Sequence, residues 1–268
     1  MGSTRKLAQK ILPAMLVEAI QSRTAAGSLQ LWIRRFARQS FAQDSEDLLV
    51  ISLLADSSAP GFYVDVGAHH PARFSNTLLF YLMGWRGINI DPIPGGMALF
   101  KKWRPRDINL EIGISEFEQE LTYHMFNDGA LNTFSDELAS SRSGLRSYRR
   151  TGTVPVPTQP LRTVFSRHVP PDTTIDFLTV DVEGMDLDVL RSNDWNRWRP
   201  SVVLAEEVEV RTLDEVAATD IARFMREVGY VPCAKTRFSL CFAEESRLQL
   251  TDIGLQVRRP AHIPPPGC

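Results

Sequence analysis

Residues 62–91 read FYVDVGAHHPARFSNTLLFYLMGWRGINID, and this stretch decides the fold. An apolar run ends in Asp65 and turns at Gly67. A helix-like segment follows, and a second apolar run ends in Asp91. That is a strand, a tight turn, a helix and a second strand with an acidic tip. It has the form of a nucleoside-binding βαβ unit, in which ligands sit beyond the carboxyl ends of parallel strands. An interval of about twenty-five residues between Asp65 and Asp91 suits an acidic side chain that accepts from ribose hydroxyls. A dinucleotide fingerprint would need three glycines so that backbone could approach a pyrophosphate. Here Ala68-His69-His70-Pro71 follows the single Gly67. A nucleoside without phosphates fits better, and S-adenosylmethionine (SAM) is the common one.

The same alternation extends on the C-terminal side. A helix near Ser75–Met83 lies inside the quoted stretch, and another near Gly96–Trp103 leads to a third strand at about Ile108–Ile114. Later, Ile175–Val180 is a continuous apolar run of the kind buried on both faces. A helix follows at Asp186–Ser192, then a strand at Ser201–Ala205. A long helix is expected over Leu213–Val228, and the runs Tyr230–Ala234 and Phe238–Phe242 read as a terminal hairpin. This predicts an α/β fold, Rossmann-like, with a mostly parallel sheet, a C-terminal antiparallel hairpin and helices on both faces. Residues 116–160 break the rhythm. LTYHMF looks like a strand, but Ser135–Arg150 is polar, with Arg142, Arg146, Arg149 and Arg150 among serines. TVPVPTQPL is too rich in proline for a central strand. This segment is expected to be a mobile surface insertion on the acceptor side.

Around that domain, assigned to residues 41–245, the sequence predicts two flanks. Residues 1–40 form a basic amphipathic extension, with Leu29, Trp32, Ile33 and Phe36 at helical spacing and Arg34, Arg35 and Arg38 between them. It reads as a helix packed on the domain, or as weak peripheral contact with a membrane or partner. Residues 246–268 are expected to be an extended tail, because His262-Ile263-Pro264-Pro265-Pro266-Gly267 cannot be helical. The net charge of −2 gives no reason to expect a nucleic acid. No apolar run approaches the eighteen or so residues of a membrane span. Pro13 and Glu18 interrupt the first apolar stretch, against a signal peptide, and Lys6 fails the myristoylation pattern. Three cysteines, Cys233, Cys241 and Cys268, have no metal-type spacing and suit a reducing compartment. A cytoplasmic protein is expected.

The phrases VDVGAHHPARFSNT, GWRGINIDP, RPRDINLEIGIS, IDFLTVDVEGMDLDVLRSNDW and PSVVLAEE occur in this order. Together they resemble the FkbM family of SAM-dependent methyltransferases, over roughly residues 40–243. The resemblance implies a class I SAM methyltransferase domain that methylates a hydroxyl oxygen on a sugar, glycan or polyketide-type molecule. Asp65-Val66-Gly67-Ala68 resembles the family's first SAM motif. Gly67 would let backbone turn under the methionine portion, and Asp65 would accept from its ammonium. The plainer role for Asp65 is to end a strand and cap the next turn. His69 follows that turn, and Asp91 is the ribose candidate. Ser75-Asn76-Thr77 opens the next helix, with N-capping as the plain role and Asn76 and Thr77 as candidate cofactor contacts. Ile114 and Ser115 are placed to meet adenine. Asp107 reads as a turn residue.

Asp181 and Glu183 end the fourth strand, and Glu206 and Glu207 end the next. Carboxylates so crowded either raise one pKa, producing a general base, or share a cation. Asp181, Glu183 and Glu206 are therefore the catalytic candidates. Asp181 and Glu206 are candidate ligands for magnesium or calcium. The plainer reading of Asp181 and Glu183 is that they favour the N-terminus of the helix that follows. His69, His70 and His124 are lesser candidates for proton transfer. Arg142–Arg150 reads as a solvated face, or as a grip on a phosphorylated or carboxylated acceptor. Two other functions remain in view at this level. One is a nicotinamide-dependent sugar oxidoreductase, against which stand the absent glycine triplet and the lack of a Tyr-x-x-x-Lys pair. The other is a non-catalytic Rossmann-like interaction module.

Overall fold

The computed structural model describes residues 36–54, 59–145, 147–252 and 254–259. The expectations for Leu29, Trp32, Ile33, Arg146, Cys268 and 262–267 lie outside the described residues. The compact unit begins at Ser40. Helix α1 (Glu46–Leu53) leads to β1 (Phe62–Val66). Helix α2 (Leu78–Leu82) carries the chain to β2 (Arg86–Ile90), and α3 (Met97–Trp103) to β3 (Ile108–Leu110). Then come β4 (Gly113–Ile114), β5 (Gln119–Phe126), α4 (Asp136–Arg142) and β6 (Arg150–Gln159). Helix α5 (Leu161–His168) returns to β7 (Phe177–Val180), and α6 (Asp186–Arg191) to β8 (Val202–Glu206). Helices α7 (Leu213–Val216) and α8 (Asp220–Glu227) precede two hairpins, β9 (Tyr230–Lys235) with β10 (Ser239–Glu244), and β11 (Leu248–Thr251) with β12 (Gly254–Val257).

The main sheet has the order β3-β2-β1-β7-β8-β10-β9. Strands β3 to β8 in that order are parallel, and β10 and β9 antiparallel. Every residue of β1 and β7 is buried, as continuous apolar runs in a two-faced parallel sheet must be. Alternate side chains enter opposite cores. Val64, Val66, Leu178 and Val180 pack with Leu161, Phe165, Val189 and Met225 from α5, α6 and α8. Tyr63, Phe177, Val202 and Leu204 pack with Val50, Phe80 and Trp85 on the other face. The chain steps outward from β1 in one direction and from β7 in the other. That switch leaves a crevice beyond the carboxyl ends of β1 and β7.

Residues 116–160 depart from expectation. With β4 they form a sheet, β4-β6-β5, and the TVPVPTQ of the proline-rich TVPVPTQPL lies in its middle strand. Pro155 and Pro157 oppose Thr122 and Glu120. Being two residues apart, they turn the same way, and β4 meets β6 only at Thr158 and Gln159. Their missing N–H groups therefore cost no ladder bond. The polar stretch contains α4, capped by the Ser135 hydroxyl, which accepts from Leu138 N at 3.2 Å. The expected third strand is split between the two sheets as β3 and β4. The expected long helix is broken, and Thr219 caps α8 by accepting from Ala222 N at 3.0 Å.

Asp107 is no simple turn residue. It accepts from Arg104 at 2.8 Å, Tyr63 at 2.7 Å, Gly87 N at 3.0 Å and Asn89 at 2.9 Å, all within the core. The segment expected as an extended tail also differs, because residues 248–257 form a hairpin whose Val257 is buried. Beyond it, Arg259 donates to Asp176 at 2.9 Å and to the Ala59 carbonyl at 2.8 Å, over the Trp85 ring. Gly61 makes room for this cluster, since a Cβ there would stand 2.5 Å from Asp176 Oδ2 and 2.7 Å from Arg259. Among the described residues, no helix is long and apolar enough to cross a membrane.

Candidate active site

The crevice is built on one close approach. Gly67 has φ +84°, and a Cβ there would lie 1.7 Å from the Asp181 carbonyl oxygen. Only glycine lets the β1 turn touch the exit of β7. Asp91, at the tip of β2, accepts from His69 N at 2.8 Å and Ile93 N at 2.9 Å. Burial pushes its carboxyl up to about 6, against the pull of those two N–H groups. A carboxylate has about four acceptor positions, so two remain for a ligand. His69 also lines the crevice, and both its ring nitrogens are buried with no hydrogen-bond partner among the described residues. Burial, with Arg73 nearby, lowers its pKa and keeps the ring neutral. Orphaned ring nitrogens in a cleft fit a polar ligand.

At the far end, Asp181 and Glu183 line the crevice, and Glu206 approaches from β8. One carboxyl oxygen of each lies within 4.8 Å of the others. Glu183 is ion-paired with Arg142 of α4, and its carbonyl accepts from Thr133 at 2.7 Å. Among the described residues no hydrogen bond reaches the carboxyls of Asp181 or Glu206. Asp181 lies deep among protein atoms, yet it opens onto the crevice. Burial, then the charges of Asp181, Glu183 and Asp186, push Glu206 up to about 11. Burial, and then Glu183, likewise raises Asp181, and burial raises Glu183 despite Arg142. The acid triad by itself therefore holds a proton on Glu206 at neutral pH, and a cation placed there would release it. Three such oxygens could also hold a divalent metal.

A model of the methyltransferase FkbM domain matches residues 65–232. The chain belongs to the FkbM methyltransferase family. No curated protein matches it in sequence. Among solved structures, it is similar to the precorrin-6y C5,15-methyltransferase of Geobacter metallireducens GS-15. That likeness has TM-score 0.38 and 11% identity, covering 77% of this chain and 93% of that one. A Corynebacterium glutamicum protein matches with TM-score 0.39 and 13% identity, over 90% of this chain and 95% of that one. Likenesses this loose add nothing to the family assignment, which makes the chain a methyltransferase and implies SAM as its methyl donor.

In this FkbM methyltransferase, Gly67, His69, Asp91, Ile114, Asp181 and Glu183 line the crevice. Glu206 faces it from the neighbouring groove. Asp65, Ala68, Asn76, Thr77 and Ser115 are not part of the lining. Asp65 is buried and accepts from the Thr77 hydroxyl at 2.5 Å, and Asn76 donates to Thr179 at 3.0 Å. Of the expected capping residues Ser75-Asn76-Thr77, it is the Ser75 hydroxyl that accepts from Leu78 N, at 3.1 Å, while Thr77 holds the N-cap position without a side-chain cap bond. Ser115 ties β4 to β6 through Thr158 at 2.7 Å. His70 accepts from the backbone of its own turn, and His124 holds Asp136 at 2.8 Å, so both are bound into structure. Sequence reading missed Phe74, Tyr123 and Asn132, which also line the crevice. Tyr123 and Asn132 belong to the segment read as an insertion, and nothing local marks them. Free space here is about 80 Å³. Small-molecule sites run to roughly 300–1,000 Å³, so lining side chains such as the part-exposed Phe74 must turn out on ligand entry.

Proposed function

We propose that this FkbM methyltransferase binds SAM in the crevice and methylates a hydroxyl oxygen of a sugar, glycan or polyketide-type acceptor. The observation that carries this reading is a crevice at the strand tips that ends at carboxyls, those of Asp181 and Glu206, with no hydrogen-bond partner among the described residues. Asp91 accepts from the ribose hydroxyls, His69 answers a polar group of the same ligand, and Ile114 lies against the base. Bound SAM supplies a methyl on a positively charged sulfur, and that charge vanishes on transfer. The junction acids match this change. Beside a cation they are ionised; once it is neutral, one of them binds a proton strongly. Glu206, on the acceptor side and without a partner, takes the hydroxyl proton as the new C–O bond forms. The small sheet and α4 act as the acceptor-side cap, with Arg142 locking Glu183 in place. Incubation with methyl-labelled SAM and fractionated extract tests the reading. Label recovered as methyl ether supports it, and label found only on nitrogen or carbon would refute oxygen transfer.

Two binding predictions arise from the same geometry. Asp91→Ala should weaken SAM and its demethylated product alike, by about ten- to a hundredfold, as loss of a charged hydrogen-bond acceptor implies. Because burial raises Asp91 to about 6, the wild-type affinity should fall as pH drops below about 6. Asp91→Asn should lose that dependence. Calorimetry across pH 5–8 reads both, and an unchanged dissociation constant would remove Asp91 from the site. Asp181→Asn should behave differently. It removes a negative charge facing the donor end, so SAM should weaken several-fold more than the uncharged product. Equal losses for the two ligands would place Asp181 elsewhere.

A further inference from the structure

A second hollow begins on the far side of the acidic junction. This open groove, about 680 Å³, runs between α4, the exit of β8 and the starts of α6 and α8. Gly184, Asp186 and Glu206 border it, while Asp181 and Glu183 border the crevice. In a sheet that switches direction between β1 and β7, the nucleoside occupies one side and this groove lies across the other. Its size suits a small-molecule site of a few sugar units.

The groove's charge is one-sided. Glu137 and Glu209 line it with carboxylates that meet no donor among the described residues, while Glu207 accepts from Glu209 N at 3.4 Å. Three more are already engaged: Asp186 by the N–H groups of Val182 and Gly184, Glu215 by those of Arg211 and Thr212, and Asp220 by Arg223. Among the described residues its one basic lining residue, Arg142, is held by Glu183 and by the Leu131 carbonyl. Arg142 therefore has little to offer a phosphate or carboxylate. An anionic acceptor would meet repulsion along the whole wall, and a neutral one would leave the carboxylates facing only water.

We propose that this groove is the acceptor site and that it selects a polyhydroxylated molecule carrying protonated amines, such as an amino sugar oligomer. The proposal rests on the methyl-transfer reading. Each ammonium brings three N–H donors and a positive charge to the open carboxylates of Glu137 and Glu209. That leaves a neighbouring hydroxyl to face Glu206 at the junction.

The test is calorimetric, with and without saturating demethylated SAM. The probes are a fully deacetylated chitotetraose, its N-acetylated counterpart and a galacturonate tetramer. The deacetylated probe should bind, the acetylated one about tenfold or more weaker, and the uronate undetectably. The Glu137→Gln/Glu209→Gln variant should lose about tenfold for the cationic probe and nothing for demethylated SAM, with raised salt mimicking the variant. Equal binding of the amine and its acetamide, binding of the uronate, no binding of the amine, or an unchanged variant would each overturn the proposal. Failure of demethylated SAM to bind would strike the methyl-transfer reading instead, since the groove is also measured without it.

Discussion

Glu206→Gln is expected to lower turnover by about a hundred- to ten-thousandfold while SAM affinity changes little, the usual contribution of a positioned general base. Glu206 closes β8, its carboxyl meets no protein donor among the described residues, and it borders the acceptor groove. Glu183 is the weaker candidate, because Arg142 already claims it. Burial and the charges of Asp181, Glu183 and Asp186 raise Glu206 to about 11 and keep it protonated. A cation brought to the junction lowers that value, so SAM binding near pH 8 should release a proton. Calorimetry in buffers of different ionisation enthalpy would detect the release, and Glu206→Gln should diminish it. If the oxygen triad instead holds a divalent metal, EDTA should abolish methyl transfer and magnesium restore it. Full activity in both Glu206→Gln and Glu183→Gln, with indifference to EDTA, would exclude both roles.

Arg259→Ala should cost about 3–5 kcal/mol of folding stability, the range for removing one partner of a buried ion pair. The side chain of Asp176 is 0% exposed and that of Arg259 is 7%. Asp176 also accepts from Phe62 N at 2.9 Å, so its ionised form anchors the start of β1. Loss of the guanidinium should lower the melting temperature by on the order of 10 °C for a domain this size. The double variant Asp176→Asn/Arg259→Ala should recover part of the loss, since no charge would then be buried. A melting temperature within a degree or two of wild type for Arg259→Ala would show that the C-terminal hairpin is not clamped to the sheet in solution.

Much of this molecule is written locally. The run from Phe62 to Asp91 folds as its periodicity dictates. Five consecutive buried residues suit a strand covered on both faces, a glycine makes the turn, and apolar residues then recur at helical spacing. Gly67 and Asp91 are placed by that pattern alone, because strand tips in a parallel sheet share one edge. Asp181, Glu183 and Glu206 follow for the same reason, each standing at the end of an apolar run. Partners distant in sequence decided the rest. A proline forbids a strand only where its missing N–H would face a neighbour. That depends on β4 meeting β6 at Thr158 and Gln159 and no further. Asp107 looks like any turn aspartate until Arg104, Tyr63 and Asn89 converge on it. Asp65, Asn76 and Thr77 sit in the right motif but bond inward, since the same strand tip must also be stitched to α2 and β7. Tyr123 reaches the crevice, and Arg142 reaches Glu183, because the small sheet and α4 fold back over the switch point. Periodicity fixes which face a residue takes on its own element; what that face meets is set by how the elements dock, through contacts no local window contains.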